Sequence, residues 1–189
     1  MASHVSLQKP AAALLAVVLV FACAGCGKTN CNTILIPKSY YDYFGANPAD
    51  DVASVKGLGS KYVTRAYRRS GGIAIIANNE QKKNLLKVNQ NWINFYGNII
   101  LEASPRYSIK TSPDYRCTEI TMDYKLNPSK RSEAMEGLTY WLVLSQLFHG
   151  TGDDWSLHIV IRDANSHKVV YRVSLPQTPI DFNEETWNL

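Results

Sequence analysis

Hydrophobic and polar positions alternate most regularly near the C-terminal end of the chain. Trp155, Leu157, Ile159 and Ile161 alternate with Ser156, His158, Val160 and Arg162. Val169, Tyr171, Val173 and Leu175 alternate in the same way with Val170, Arg172 and Ser174. A period of two marks a strand with one buried face. The turn-forming run Asp163-Ala164-Asn165-Ser166-His167 lies between the two segments, and together they predict an antiparallel hairpin. Ile120, Met122, Tyr124 and Leu126 alternate with Glu119, Thr121, Asp123 and Lys125, which predicts a further half-buried strand over 116–126. Between these segments, 132–148 reads as a helix that turns apolar towards its C-terminal end and stops at His149-Gly150.

The first half of the chain is less regular. Thr33 to Ile36 reads as a strand. Asn47-Pro48 followed by Asp50-Asp51 is a helix start, with a capping side chain, proline at the first helical position and acids in the first turn. That helix stops near Gly57-Leu58-Gly59. Lys61 to Tyr67 and Ile73 to Ala77 read as strands around Ser70-Gly71-Gly72. Leu85, Val88, Trp92 and Tyr96, at steps of three and four, predict an amphipathic helix over 79–95. Ile99-Ile100-Leu101, coming after Gly97, is expected to begin another strand. Pro176 and Pro179 close regular structure. The resulting expectation is an α+β fold: a largely antiparallel sheet with two or three packed helices in a single domain over 33–176, followed by a tail over 177–189.

The N-terminal segment has a different character. FACAGCGKTN, residues 21–30, ends like a phosphate-binding loop, but the leading glycine of G-x-x-x-x-G-K-[ST] falls on Ala22. The segment after Thr29 reads as a strand rather than the required helix, so a nucleotide-binding reading fails. Ala11 to Ala22 is an uninterrupted apolar run. It has the length of a signal-peptide core and is short of the ~20 residues that span a bilayer. Ala24-Gly25-Cys26 matches the last three positions of the bacterial lipoprotein lipobox, and Cys23 stands where Leu is usual. The segment therefore resembles a bacterial lipoprotein signal peptide. The resemblance implies removal of 1–25, acylation of Cys26 and attachment to a membrane through a tether over 26–32. Gly27, with no Asp after the acylated cysteine, implies sorting to the outer membrane, facing the periplasm. Plain secretion, an uncleaved anchor and a buried cytoplasmic helix are the competing readings.

The same resemblance organises the cysteines. Cleavage discards Cys23 and acylation consumes Cys26, leaving Cys31 and Cys117 in an oxidising compartment where disulfides persist. A bridge between them would close a loop of roughly 87 residues, worth about 4–5 kcal/mol in the chain-entropy account. Two buried free thiols are the alternative. The hairpin run IVIRDANSHKVVYRVSL also resembles the ending of several small envelope lipoproteins of α+β fold, which implies no particular functional residue.

Composition narrows function further. The net charge of +4 is mild and does not call for nucleic acid. His149, His158 and His167 lack metal-ligand spacing, and no G-x-S-x-G elbow is present. Asp153-Asp154 lacks the further oxygen ligands of a calcium loop. Glu133 and Glu136 fit the positive N-terminal end of a helix better than acid–base chemistry. No catalytic residue, metal or cofactor is assigned. One surface feature remains: Lys56, Lys61, Arg65, Arg68 and Arg69, interleaved with Tyr62 and Tyr67, form a candidate contact for an anionic envelope surface, with Lys61, Arg65 and Arg69 expected on one strand face. The expected function is that of a non-catalytic, membrane-anchored envelope lipoprotein binding a protein or envelope-polymer partner. An enzyme with a site formed only in three dimensions and a small-molecule-binding periplasmic module are the alternatives.

Overall fold

The computed structural model describes residues 31–103, 106–123 and 128–180. The leader, the lipobox, Cys26 and residues 181–189 of the tail lie outside the described residues. The order of elements is β1 (Cys31–Ile36), α1 (Lys38–Phe44), α2 (Pro48–Gly57), β2 (Arg65–Arg69), β3 (Gly72–Asn78), α3 (Asn79–Ala103), β4 (Ser108–Thr111), β5 (Cys117–Met122), α4 (Pro128–His149), β6 (Leu157–Asp163) and β7 (Val169–Leu175). The fold is α+β in a single domain. Its strands form two sheets rather than one: an antiparallel sheet ordered β1-β3-β2 and a mixed sheet ordered β4-β5-β6-β7.

In the first sheet, Ile34 and Ile36 stand opposite Ile75 and Ile73, and all four are buried. Ala66 joins them from β2 opposite Ile75. The other face carries Thr33, Leu35, Ile76, Arg65, Tyr67 and Arg69. The β2–β3 hairpin turns through Ser70 and Gly71, at φ 48° and 82°. Two successive left-handed residues match the twist of the flanking strands.

In the second sheet, the expected C-terminal hairpin forms with Leu157 opposite Leu175, Ile159 opposite Val173 and Ile161 opposite Tyr171. The β5–β6 pair is parallel, because α4 carries the chain from one end of the sheet back to the other. From Leu142 to Phe148 every residue of α4 is buried, as befits a helix that is enclosed on all sides. Gln146, fully buried, fastens it to the sheet: Nε2 donates to Tyr115 O at 2.9 Å and Ser156 O at 2.8 Å, and Oε1 accepts from Ser156 N at 3.2 Å.

Two local expectations change. The segment Ile99-Ile100-Leu101 is the last part of α3, not a strand. Ile93, Gly97 and Ile100 continue its buried stripe, and Gly97 packs against Ile109 and Tyr107 instead of breaking the helix. The residues after Pro37 form a short helix, α1, whose Tyr40 and Tyr41 are buried. The α2 start is as expected: Asn47 Oδ1 accepts from Ala49 N at 3.0 Å.

Candidate functional site

α3 and α4 cross where side chains are smallest. Tyr96 lies on Gly137 so closely that a Cβ there would fall 2.3 Å from its ring. On one side of this crossing, fully buried Asn89 donates through Nδ2 to Trp141 O at 2.9 Å and to Ser145 Oγ. Towards the surface, Trp92 stacks on Trp141 with centroids 5.5 Å apart and planes 5° from parallel. Phe95 meets Trp92 edge-on at 5.5 Å and Tyr96 at 5.3 Å.

This aromatic cluster reaches the surface. Trp92 is 42% exposed and Phe95 51%, among the largest exposed apolar side chains in the described residues. The exposed α3 positions beside it are Gln90, Asn91, Asn94 and Asn98, which are uncharged amides. Aromatic anchors with few charges nearby are the composition of a protein-binding surface. The sequence placed Trp92 and Tyr96 on the apolar stripe of an amphipathic helix. It missed that the stripe overruns the core and that Trp141 arrives from another helix.

The five expected cations separate into two groups. Lys56 lies in the last turn of α2, Lys61 lies in the turn before β2 rather than in the strand, and Arg65 opens the strand. Arg68 and Arg69 sit at the opposite end, next to the hairpin turn. Arg65 and Arg69 do share the outward strand face, as expected, while Lys61 does not join them. Lys61 lies over Tyr62 at 5.5 Å and Arg65 over Tyr67 at 5.1 Å.

Cys31 and Cys117 are not brought together. Cys31 opens β1 opposite Asn78, Cys117 opens β5 opposite His158, the two belong to different sheets, and no bond joins them. Both are exposed, so the alternative of buried thiols is not met either.

The acids and histidines have local work. Asp154 pairs with Arg116 at 2.9 Å and Asp153 accepts from Ser39 Oγ at 3.1 Å, closing the short turn Gly152–Asp154 onto its neighbours. Glu133 and Glu136 are exposed on α4. His149 Nδ1 lies 2.7 Å from Ser145 O, and His158 Nδ1 lies 2.8 Å from Ser174 Oγ. His167 is in the β6–β7 turn at φ 58°. Among the described residues no three His, Cys, Asp or Glu are placed to hold a metal ion.

An open cleft of about 550 Å³ lies between α1, α4 and the segment after β7, lined by Asp42, Tyr43, Phe44, Glu136, Thr139 and Ile180 among others. Asp42 there is paired with Lys38, and no histidine lines the cleft beside its carboxylates. Outside this cleft, Tyr41 Oη donates to Asp51 Oδ2 at 3.0 Å, joining α1 to α2. Burial raises Asp51 above the usual carboxylate range, and the neighbouring charge of Asp50 adds to this against the opposing Tyr41 hydrogen bond. The Tyr40 and Tyr41 phenols are likewise raised, chiefly by burial.

No protein-family model matches the chain, and neither a curated protein nor a solved structure matches it. Among the described residues no helix is long and apolar enough to cross a membrane.

Proposed function

We propose that this protein is a membrane-anchored envelope lipoprotein whose domain is non-catalytic and docks a protein partner through the aromatic cluster on α3 and α4. The observation that carries the reading is the exposure of Trp92 and Phe95 beside Trp141, next to the exposed amides Gln90, Asn91, Asn94 and Asn98 of α3. Folding leaves these rings in contact with water although each gains free energy from leaving it. The lipobox-like Ala24-Gly25-Cys26 supports the anchor, and Gly27 after it, in place of Asp, supports the outer-membrane location.

The test places a photo-activated benzophenone at position 95 in the protein in intact envelopes, with the same probe at exposed Arg172 on β7 as control. A discrete adduct with a different protein, formed at 95 and not at 172, and lost on Trp92→Asp, is the expected result. An adduct with polysaccharide, an adduct with a second copy, or no adduct at 95 overturns the protein partner. Acylation is read separately, as the mass of the Cys26 peptide.

A further inference from the structure

The end of the domain where the tether enters is built around an exposed leucine and a ring of cations. Lys56 lies in the last turn of α2, and after Gly57 the chain runs Leu58-Gly59-Ser60-Lys61-Tyr62 towards β2. Leu58 is 41% exposed at the tip of this loop. Gly59 is left-handed at φ 81°, a conformation that holds the tip in a tight turn.

The loop is tied to the start of α3. Gln81 Nε2 donates to Ser60 O at 2.8 Å, Gln81 Oε1 accepts from Thr64 Oγ1 at 2.9 Å, and Asn84 Nδ2 donates to Lys61 O at 3.0 Å. The start of α3 is tied in turn to β1, where Asn32 Nδ2 donates to Asn79 Oδ1 at 2.8 Å. These bonds bring Lys82 and Lys83, from the first turn of α3, to the same end as Lys56, Lys61 and Arg65. Glu80 is the one acid in that turn of the helix.

Cys31, the first residue of β1, is at this end too, paired with Asn78 immediately before α3. Four residues lie between Cys26 and Cys31, so the five steps reach at most ~18 Å. An acyl group on Cys26 would therefore hold this end within that distance of a bilayer.

We propose that this end is a membrane-facing surface: Leu58 dips into the headgroup boundary of an anionic phospholipid bilayer while Lys56, Lys61, Arg65, Lys82 and Lys83 meet its phosphates. The occupant follows from charge complementarity, from the apolar tip among cations, and from the place where the tether joins the fold. The anchoring half rests on the acylation proposed above; the surface itself does not.

The mature chain, residues 26–189 with Cys26→Ala, contains every described element. It is sedimented with vesicles of phosphatidylcholine alone and with vesicles containing phosphatidylglycerol. Binding is expected to the anionic vesicles, weakened by salt, and lowered at least ~fivefold by each of Lys61→Glu and Arg65→Glu, which remove a cation and add an anion. Leu58→Asp lowers it as well. Arg69→Glu, at the far end of β2, leaves it unchanged. All of these residues are exposed, so thermal midpoints stay at the parental value and misfolding is excluded by that reading. Equal binding to neutral and anionic vesicles, or an equal loss with Arg69→Glu, overturns the proposal. Anionic preference in a protein whose Cys26 proves unmodified in cells overturns the anchor alone.

Discussion

Trp92 and Trp141, separated by 48 intervening residues in sequence, stack with their planes 5° from parallel at a centroid distance of 5.5 Å. The pair stands at the water-facing edge of the α3–α4 crossing, and Trp92 is the more dispensable of the two for folding because it is 42% exposed. Trp92→Ala is expected to lower stability by about 1 kcal/mol, the value of a lost aromatic pair, and to abolish the adduct formed from position 95. Denaturant titration followed by cross-linking separates the two effects. A loss of several kcal/mol would mean that the ring is a core residue and not a docking residue.

Gly137→Ala tests the crossing itself. Helix propensity favours the alanine by roughly 1 kcal/mol. The added Cβ, however, would meet Tyr96 at 2.3 Å, and overpacking costs about 1–3 kcal/mol. A net destabilisation is expected, together with a changed near-ultraviolet dichroism as the rings shift. Stabilisation by the substitution would show that the two helices have room between them.

Gln146→Leu removes three hydrogen bonds that join α4 to Tyr115 and Ser156. It leaves two part-buried carbonyl groups and one N–H without their Gln146 partner. A cost of about 2–4 kcal/mol is expected from unsatisfied polar groups, with hydrogen exchange rising first at the start of β6. Unchanged protection at Leu157 and Ile159 would refute the fastening role.

The β6–β7 turn gives a pH dependence. Asp163 Oδ2 accepts from Ser166 Oγ at 2.7 Å and from Ser166 N at 2.8 Å. These bonds hold its carboxyl below the ordinary aspartate value of 3.8. A carboxyl lowered on folding contributes stability that is fully present above 3.8 and is lost as pH falls through the lowered folded value. Asp163→Asn should therefore remove part of the decline in thermal midpoint below about pH 4. Parallel curves for the two proteins over that range would contradict it.

Cys117→Ser is expected to leave stability within ~0.5 kcal/mol of the parent, because the thiol is exposed and unbridged. A loss near the ~4–5 kcal/mol of a long-loop disulfide, together with a mass change on reduction, would restore the Cys31–Cys117 bridge.

Periodicity made the C-terminal hairpin, the α2 cap and the α3 stripe legible, because each is a local pattern written into adjacent residues. β4 carries only four residues, too few to display a period, and α1 hides behind Pro37, which reads as the end of a strand. Gly97 misled for a physical reason: in isolation it weakens a helix, yet here it allows α3 to approach β4. The parallel β5–β6 pair depends on where a long helix returns the chain, which alternation within either strand does not encode. Site residues followed the same division. Lys56, Lys61 and Arg65 are close in sequence and were visible. Lys82 and Lys83 join them through Gln81 and Asn84, and Trp141 joins Trp92 through a helix crossing, and neither meeting has a signature in spacing.

α3 carries features at two levels: lysines in its first turn and the exposed rings of Trp92 and Phe95 further on. Trp92 is ten positions after Lys82, about 15 Å of helix at ~1.5 Å per residue. A flexible linker of that length would let its ends wander over a broad range of separations, but a packed helix permits essentially one. Whatever grips the rings is thus held at a set distance from whatever meets the lysines, so one helix serves as the ruler between the two surfaces.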